Sequence, residues 1–412
     1  MNKPLKRWLI SCLILIVLIA AFDVLMDPYL QFDTPRIKGL NARKPAAGPH
    51  EQWMKAVVVQ RERPATVILG SSPTDIGIDP SDAAWPAHNR PVYNLSLPNS
   101  NLYTQRLYLQ RAMGQARIST VVLGIDVNVF ITGFFADHPE SPEDEQPLAA
   151  NPDGANERTQ RWRHLQDISH TMLTLNALSD STSTLFANLS GDSLDLLPGG
   201  KLHITEIFAD GPDPLRPLLF ILDDLGGLRL RKDRVSSQYV MAMTDLEDLL
   251  NLCESHGSQV IIVIDPVHAD MLELLDQQGY WPTLEVWKRD LVRMADRHPD
   301  GKVTLWDFAD YDIYSTEHVI PQTDSTHWYF DSVHFKRALG HLVLQRIFNP
   351  AILAPGRQLN KENIDEQLTL VRQRQRQFRK DDPLDAGRAR DLYLIETAVD
   401  AMNASRYVPP KR

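Results

Sequence analysis

The sequence predicts an α/β fold built on a parallel sheet, preceded by one transmembrane helix. Three observations predict it. A small basic cluster precedes an uncharged apolar run at the N-terminus; short β-rich apolar runs alternate with polar, helix-like stretches from Val57 onward; and small-residue turns carrying polar side chains stand where those runs end. The 412 residues, 43% of them hydrophobic, suffice for one large buried core or two small ones.

In order along the chain, Lys3, Lys6 and Arg7 come before an apolar run from Trp8 to Phe22, which Val24, Leu25 and Met26 extend around the single charge of Asp23. Such a run can cross a bilayer. Ala20, Ala21, Phe22 and Asp23 make a poor small-x-small cleavage site, so residues 8–26 are expected to be an uncleaved signal anchor, with 1–7 on the cytoplasmic side and Asp27 onward outside. Residues 27–50, with Asp27-Pro28-Tyr29 and an Ala/Pro/Gly-rich stretch from Asn41 to His50, are expected to form an extended linker. The body is expected over 51–350. Its apolar runs at 67–69, 92–95, 121–125, 260–264 and 303–306 are continuous rather than alternating, as strands buried on both faces require. The rhythm breaks over about 134–249, where an acidic, Pro-rich loop (137–152) and helix-like stretches near 160–178 suggest an insertion. Residues 351–412 are expected to be a polar helical tail, its alternating Arg/Gln run at 372–376 lying on a solvated face.

Composition excludes several classes. With 43 Lys and Arg against 53 Asp and Glu the net charge is −10, and no long basic run marks a nucleic-acid surface. Cys12 and Cys253 are the only cysteines, one of them within the apolar N-terminal run, so a disulfide framework or a cysteine metal site is not expected. No H-E-x-x-H and no ligand-spaced carboxylate loop predicts a metal, and Gly70-Ser71-Ser72 lacks the lysine and spacing of a phosphate loop. No cofactor is expected.

Chemistry is suggested at strand ends, where open α/β sheets carry their sites. The run at 67–69 enters Gly70-Ser71-Ser72-Pro73-Thr74, a turn that would leave a serine hydroxyl at the sheet edge and a backbone N–H at a helix start. Near the end of the body, Asp331 stands three residues before His334, ahead of a helix through Leu339, Leu342, Val343 and Ile347. On one turn, that carboxylate can orient the imidazole, fix its tautomer and stabilise its protonated form while the ring accepts a serine proton. An isolated D-x-x-H also describes a capping Asp and a buried His. The serine turn after the first strand and the position after the last strand favour catalysis here.

The Gly-Ser-Ser turn followed at a distance by D-x-x-H resembles the first and last blocks of the SGNH, or GDSL-like, hydrolases, over roughly residues 66–348. The resemblance implies a flavodoxin-like three-layer α/β/α sandwich, with Ser72 as nucleophile, His334 as general base and Asp331 as the third member. More narrowly, the anchor, Asp27-Pro28-Tyr29 and this block order are similar to membrane-anchored SGNH-like proteins of bacterial surface polysaccharide acetylation and assembly. That similarity implies a single-pass protein of the bacterial inner membrane with its main domain in the periplasm. Its partners would be a surface polysaccharide, an acyl donor and other membrane proteins of an assembly complex.

The middle blocks depart from the family. Residues 93–101 contain no glycine to supply an oxyanion donor, and Asn99 or Ser100 falls closest. After the run at 121–125 the family's asparagine is replaced by Asp126, with Asn128 two residues on. An ionised Asp there would oppose the developing oxyanion, and one lost donor costs about 2.7 to 4 kcal/mol. Three arrangements stay open: Asp126 protonated, Asp126 binding a polar substrate, or Asp126 turned away while Asn128 donates. The strand end Ile264-Asp265-Pro266-Val267-His268 adds a further polar pair, Asp265 and His268, which either lines the cleft or is a strand-terminating Asp-Pro followed by an exposed His. The chain is thus expected to be an extracytoplasmic serine esterase or O-acyltransferase acting on acetyl groups of a carbohydrate. A non-catalytic carbohydrate-binding or assembly subunit on the same fold is the alternative.

Overall fold

The computed structural model describes residues 3–114, 116–131, 174–190, 196–202, 235–298, 301–319 and 326–406. The predicted acidic loop at 137–152 and most of the helical stretch near 160–178 lie outside the described residues. The chain divides into two compact units, one comprising Met1–Pro64, Leu107–Arg117 and Pro139–Ile207, the other Ala65–Arg106, Ile118–His138 and Phe208–Arg412.

In the first unit, α1 (Lys3–Met26) is a single helix, long and apolar enough to cross a membrane. Residues 27–46 are not an extended linker. They fold into turns around the end of α1, with Asp27, Asn41 and Lys44 fully buried. Polar bonding rather than apolar patterning holds this segment. Lys44 Nζ donates to the Met26 carbonyl at 2.7 Å and Asn41 Nδ2 to that of Leu25 at 2.7 Å, closing the open carbonyl end of the helix. The Asp27 carboxylate accepts the N–H groups of Gln31, Phe32 and Thr34 at 2.7 to 3.2 Å. Helix α2 follows (Ala47–Glu62).

The second unit is α/β, with a mixed six-stranded sheet. Its strands are β1 (Thr66–Leu69), β2 (Val92–Asn94), β3 (Thr120–Ile125), β6 (Gln259–Ile264), β7 (Val303–Asp307) and β8 (Arg357–Leu359). A separate two-stranded hairpin, β4 (Leu196–Leu197) with β5 (Lys201–Leu202), comes between them in the chain. The sheet order is β2-β1-β3-β6-β7-β8, parallel throughout except for β8, which pairs antiparallel with β7. All residues of β1, β2 and β3 are buried. That is why these segments read as unbroken apolar runs. From β1 the chain moves outward to β2 and then back past β1 to β3, so strand order reverses at the β1/β3 boundary, the place where open α/β sheets carry their sites.

Helices in this unit are α3 (Ser72–Gly77), α5 (Asn128–Ile131), α7 (Val235–Ser255), α8 (Ala269–Gln277), α9 (Trp281–Ala295), α10 (Arg337–Phe348), α11 (Ile364–Asp381) and α12 (Pro383–Arg406); α4 (Leu102–Met113) spans the division between units and α6 (Leu175–Ser190) belongs to the first. Helix α7 begins within the span expected to be an insertion and packs on β6, so the body resumes before residue 249. The tail is likewise part of the unit. It contributes β8, and α11 and α12 dock on α9 and α8. Arg372 lies over the Trp281 ring at 4.4 Å and bonds Glu285 at 2.8 Å; Arg374 pairs with Asp310, and Gln375 is buried. Only the other face of α11, with Gln373, Arg376 and Gln377, is exposed as expected of the whole run.

Candidate active site

Ser72 is the first residue of α3, directly after the turn that ends β1. The turn needs a glycine at position 70, because α3 folds back on it. A Cβ there would stand 2.3 Å from Thr74 Oγ1 and 2.5 Å from Thr74 Cβ. Pro73 in the first helical turn fits the unpaired N–H positions of a helix start.

The Asp331–His334 segment is a tight loop fixed at several points. Tyr329 and Phe335 pair as an antiparallel bridge, Phe330 N–H donates to the His334 carbonyl at 2.8 Å, and Lys336 N–H to that of Trp328 at 2.7 Å. The Glu317 carboxylate accepts N–H groups from His327, Trp328 and Tyr329 at 2.7 to 2.9 Å. Its tip is tied to the end of β6, since His268 N–H donates to the Ser332 carbonyl at 2.9 Å and Tyr329 Oη to that of Val267 at 3.2 Å.

What brings this loop over Ser72 is the approach of α10 to α3. A Cβ on Gly340 would lie 1.9 Å from the Gly77 carbonyl oxygen, and one on Gly77 would strike the Phe335 ring at 2.0 Å. As a result His334 Nε2 lies 2.8 Å from Ser72 Oγ and His334 Nδ1 lies 2.6 Å from Asp331 Oδ2. The second oxygen, Asp331 Oδ1, accepts the N–H groups of Val333 at 2.9 Å and His334 at 2.7 Å. Burial works to raise the Asp331 carboxyl, but the His334 charge and these donors outweigh it and hold it below the usual carboxylate value. Serine, imidazole and carboxylate thus stand in hydrogen-bonded series, an arrangement suited to removing the serine proton.

Asp126 follows β3 and is nearly buried, with Oδ1 accepting the N–H of Asn128 at 2.8 Å and Oδ2 in long contact with Ser71 Oγ at 3.4 Å. Burial pushes its carboxyl up, against the donors of Asn128, Val129 and Ser71 and the charge of His334. On the neighbouring strand end Asp265 is buried too, accepts Thr74 Oγ1 at 2.7 Å, and is driven well up by burial, with Asp126 adding to the effect. The Asn128 N–H serves Asp126 and the start of α5. Asn99 holds the left-handed conformation, φ 57°, which asparagine tolerates better than most residues. Its loop hangs on the Gly70 carbonyl, which accepts Leu97 N–H at 3.0 Å and Ser100 Oγ at 3.3 Å, placing Asn99 beside the serine turn.

His268 does not open on a cleft. It is 1% exposed, its Nε2 is 2.8 Å from the Glu317 carbonyl oxygen, and its ring stands edge-on to Tyr329 at 5.5 Å. Its role is to support the loop that carries Asp331. In the sequence Asp265 stands out only with His268, as a polar pair at a strand end, and Ser71 and Thr74 only as neighbours in the serine turn; Glu317 and Gly340 carry no signal there.

Among the described residues one group of metal-type ligands occurs, His318 with Asp382 and Asp385, and it shares no residue with the Ser72 relay. Its carboxylates are already engaged, Asp385 by both His318 at 2.7 Å and Arg388 at 2.9 Å. No protein-family model matches the chain, and no curated protein is similar to it.

Proposed function

We propose that the protein is an SGNH-like serine esterase or O-acyltransferase that moves an acyl group, acetyl in the simplest case, to or from a cell-surface or secreted polysaccharide. The observation that carries the reading is the Ser72–His334–Asp331 series, at 2.8 and 2.6 Å, on the C-terminal edge of a parallel sheet. The strand order β2-β1-β3-β6-β7 supports a flavodoxin-like frame with the serine turn at its switch point. Helix α1 supports a single membrane anchor, and the basic residues ahead of it support a periplasmic body in a bacterial inner membrane.

In this reaction Ser72 Oγ adds to the ester carbonyl carbon while its proton passes to His334 Nε2. The carbonyl π electrons move to oxygen, which the Ser72 N–H stabilises together with groups near Asn99 and Asp126. An ionised Asp126 would repel that oxygen, and burial, which pushes this carboxyl up, works against its ionisation. Collapse expels the alkoxide, which takes the His334 proton and leaves acyl-Ser72. A sugar hydroxyl or water then gives its proton to His334 and accepts the acyl group. Which of these arrives decides between transfer and hydrolysis.

Incubating the protein with p-nitrophenyl acetate, quenching with acid at early times and measuring intact mass will give one acetyl adduct that Ser72→Ala abolishes. Absence of Ser72-dependent labelling or turnover in folded protein refutes the enzyme and favours a binding or assembly subunit. The carboxyl of Asp126 in the place of the family's asparagine, beside the serine turn, supports that second reading.

Gly340→Ala provides an independent check on the geometry. Its Cβ meets a backbone oxygen at 1.9 Å, so α10 must back away from α3 and carry His334 off Ser72. A displacement of about 1 Å is expected to lower the acetylation rate roughly 10²-fold. The far-ultraviolet circular dichroism should stay unchanged.

A further inference from the structure

Helix α6 lies in the first unit and packs against α1, the apolar N-terminal helix. Its inner face is small and polar. Ala177, Ser181 and Thr184 are fully buried, and Ser181 faces Asp23, itself buried in the last turns of α1. Two further ties fix it to the turns that follow α1. Tyr29 Oη donates to Asp180 Oδ2 at 2.5 Å, and Asn188 both donates to the Arg43 carbonyl and accepts the Arg43 N–H, each at 2.9 Å. The helix is therefore held where the chain leaves its apolar span.

The opposite arrangement prevails outside. Leu175, Phe186 and Leu189 are 85%, 63% and 67% exposed, and with the half-buried Leu178 and Leu185 they fall on one stripe at helical spacing. Asp180 is the only charged residue of the helix, and it is turned toward Tyr29. The remaining outer positions are Ser, Thr and Asn, so nothing in the stripe resists an apolar medium.

We infer that α6 is a second membrane contact. It lies along the lipid headgroup boundary where α1 emerges, with Leu175, Phe186 and Leu189 in the acyl region. The occupant follows from continuity, because the stripe belongs to a helix clamped to the end of the apolar span. Interfacial helices with basic faces depend on anionic lipid; this one has no Lys or Arg, so its contact is apolar and insensitive to salt. The inference rests on reading α1 as a bilayer span.

The test uses the full-length protein in phosphatidylcholine vesicles, in a Cys12→Ser background that leaves the buried Cys253 unlabelled. An environment-sensitive fluorophore is attached at Leu15→Cys, Phe186→Cys, Leu189→Cys or Ser183→Cys, and quenching by nitroxide lipids is compared with quenching by aqueous iodide. Positions 186 and 189 are expected to be quenched by the lipid nitroxide several-fold more than 183, unchanged in high salt. If 15 is lipid-quenched while 186 and 189 behave like 183, the interfacial helix is refuted and the anchor stands. If 15 is not lipid-quenched, the anchor falls, and the inference with it. Shielding of 186 from both quenchers means a protein covers the stripe, and also refutes the inference.

Discussion

Asp331→Asn is expected to lower turnover of an activated ester by about four orders of magnitude at neutral pH while leaving the protein folded. The two carboxylate oxygens of Asp331 have separate duties. Oδ1 accepts two backbone N–H groups and shapes the loop, and Oδ2 faces His334 Nδ1 at 2.6 Å. An asparagine can keep the first duty with its carbonyl oxygen. It then presents an NH₂ group to Nδ1, so the ring must place its proton on Nε2, the atom that should accept from Ser72 Oγ at 2.8 Å. The rate falls for want of the right tautomer. The pH sign for the parent protein follows from the same contacts. Asp331 is held below its ordinary value of 3.8, so it stays ionised, and its contribution to stability stays present, above that value. Both are lost as pH falls through the depressed value. Steady-state rates of both proteins from pH 5 to 10, with circular dichroism of each, check this. An Asp331→Asn rate within tenfold of the parent would mean that the carboxylate does not set the tautomer.

Legibility in the sequence followed burial. The strands at 67–69, 121–125 and 260–264 were readable because strands covered on both faces need continuous apolar side chains, and the structure adds only one residue at the start of each. Strand β8, Arg-Gln-Leu, sits at the sheet edge with one buried residue, which is too little to write a hydrophobic pattern. The segment after α1 looked like a spacer for a related reason. Its order comes from Asp27, Asn41 and Lys44 bonding to backbone groups, and such bonding leaves no periodicity. The Arg/Gln run of α11 looked solvated because its partners, Glu285 and Asp310, belong to elements distant in sequence.

The candidate site divides the same way. Ser72 is a local pattern next to a strand end and the Asp331–His334 pair one just ahead of a helix, and the structure brings them together. Asp126 was visible only as a misfit for an asparagine. Its meaning depends on Asp265, at the end of β6, and on Ser71 and Thr74, at the start of α3. Gly77 and Gly340, whose contact sets the Ser72–His334 distance, are two ordinary glycines until the helices that carry them are seen to touch.

Arg388→Met is expected to cost about 3 to 5 kcal/mol of stability in the described second unit. Arg388, on α12, donates through Nε and Nη2 to Asp270 Oδ2 at 2.9 and 2.6 Å, and only 12% of its side chain is exposed. Asp270 is completely buried at the start of α8. Burial alone would raise its carboxyl, but His268 and Arg388 outweigh that and hold it below the usual range. Since its folded value is depressed, the parent protein has this stabilisation in full above the unfolded value and loses it as pH falls through the folded one. Removing the guanidinium strands a buried carboxylate with His268 alone. The Asp270 carboxyl then rises from its depressed value, so the variant's loss relative to the parent should shrink as the solution is acidified toward pH 5. Urea unfolding of parent and variant at pH 7 and pH 5 reads both the loss and its sign, and Asp270→Asn combined with Arg388→Met should recover much of it. A loss below 1 kcal/mol, or one independent of pH, would show that the tail does not neutralise Asp270. The damage should also reach the site. Asp270 neighbours His268, whose backbone and ring hold the Ser332 and Tyr329 side of the catalytic loop, so the variant should acetylate Ser72 more slowly even under conditions where it remains folded.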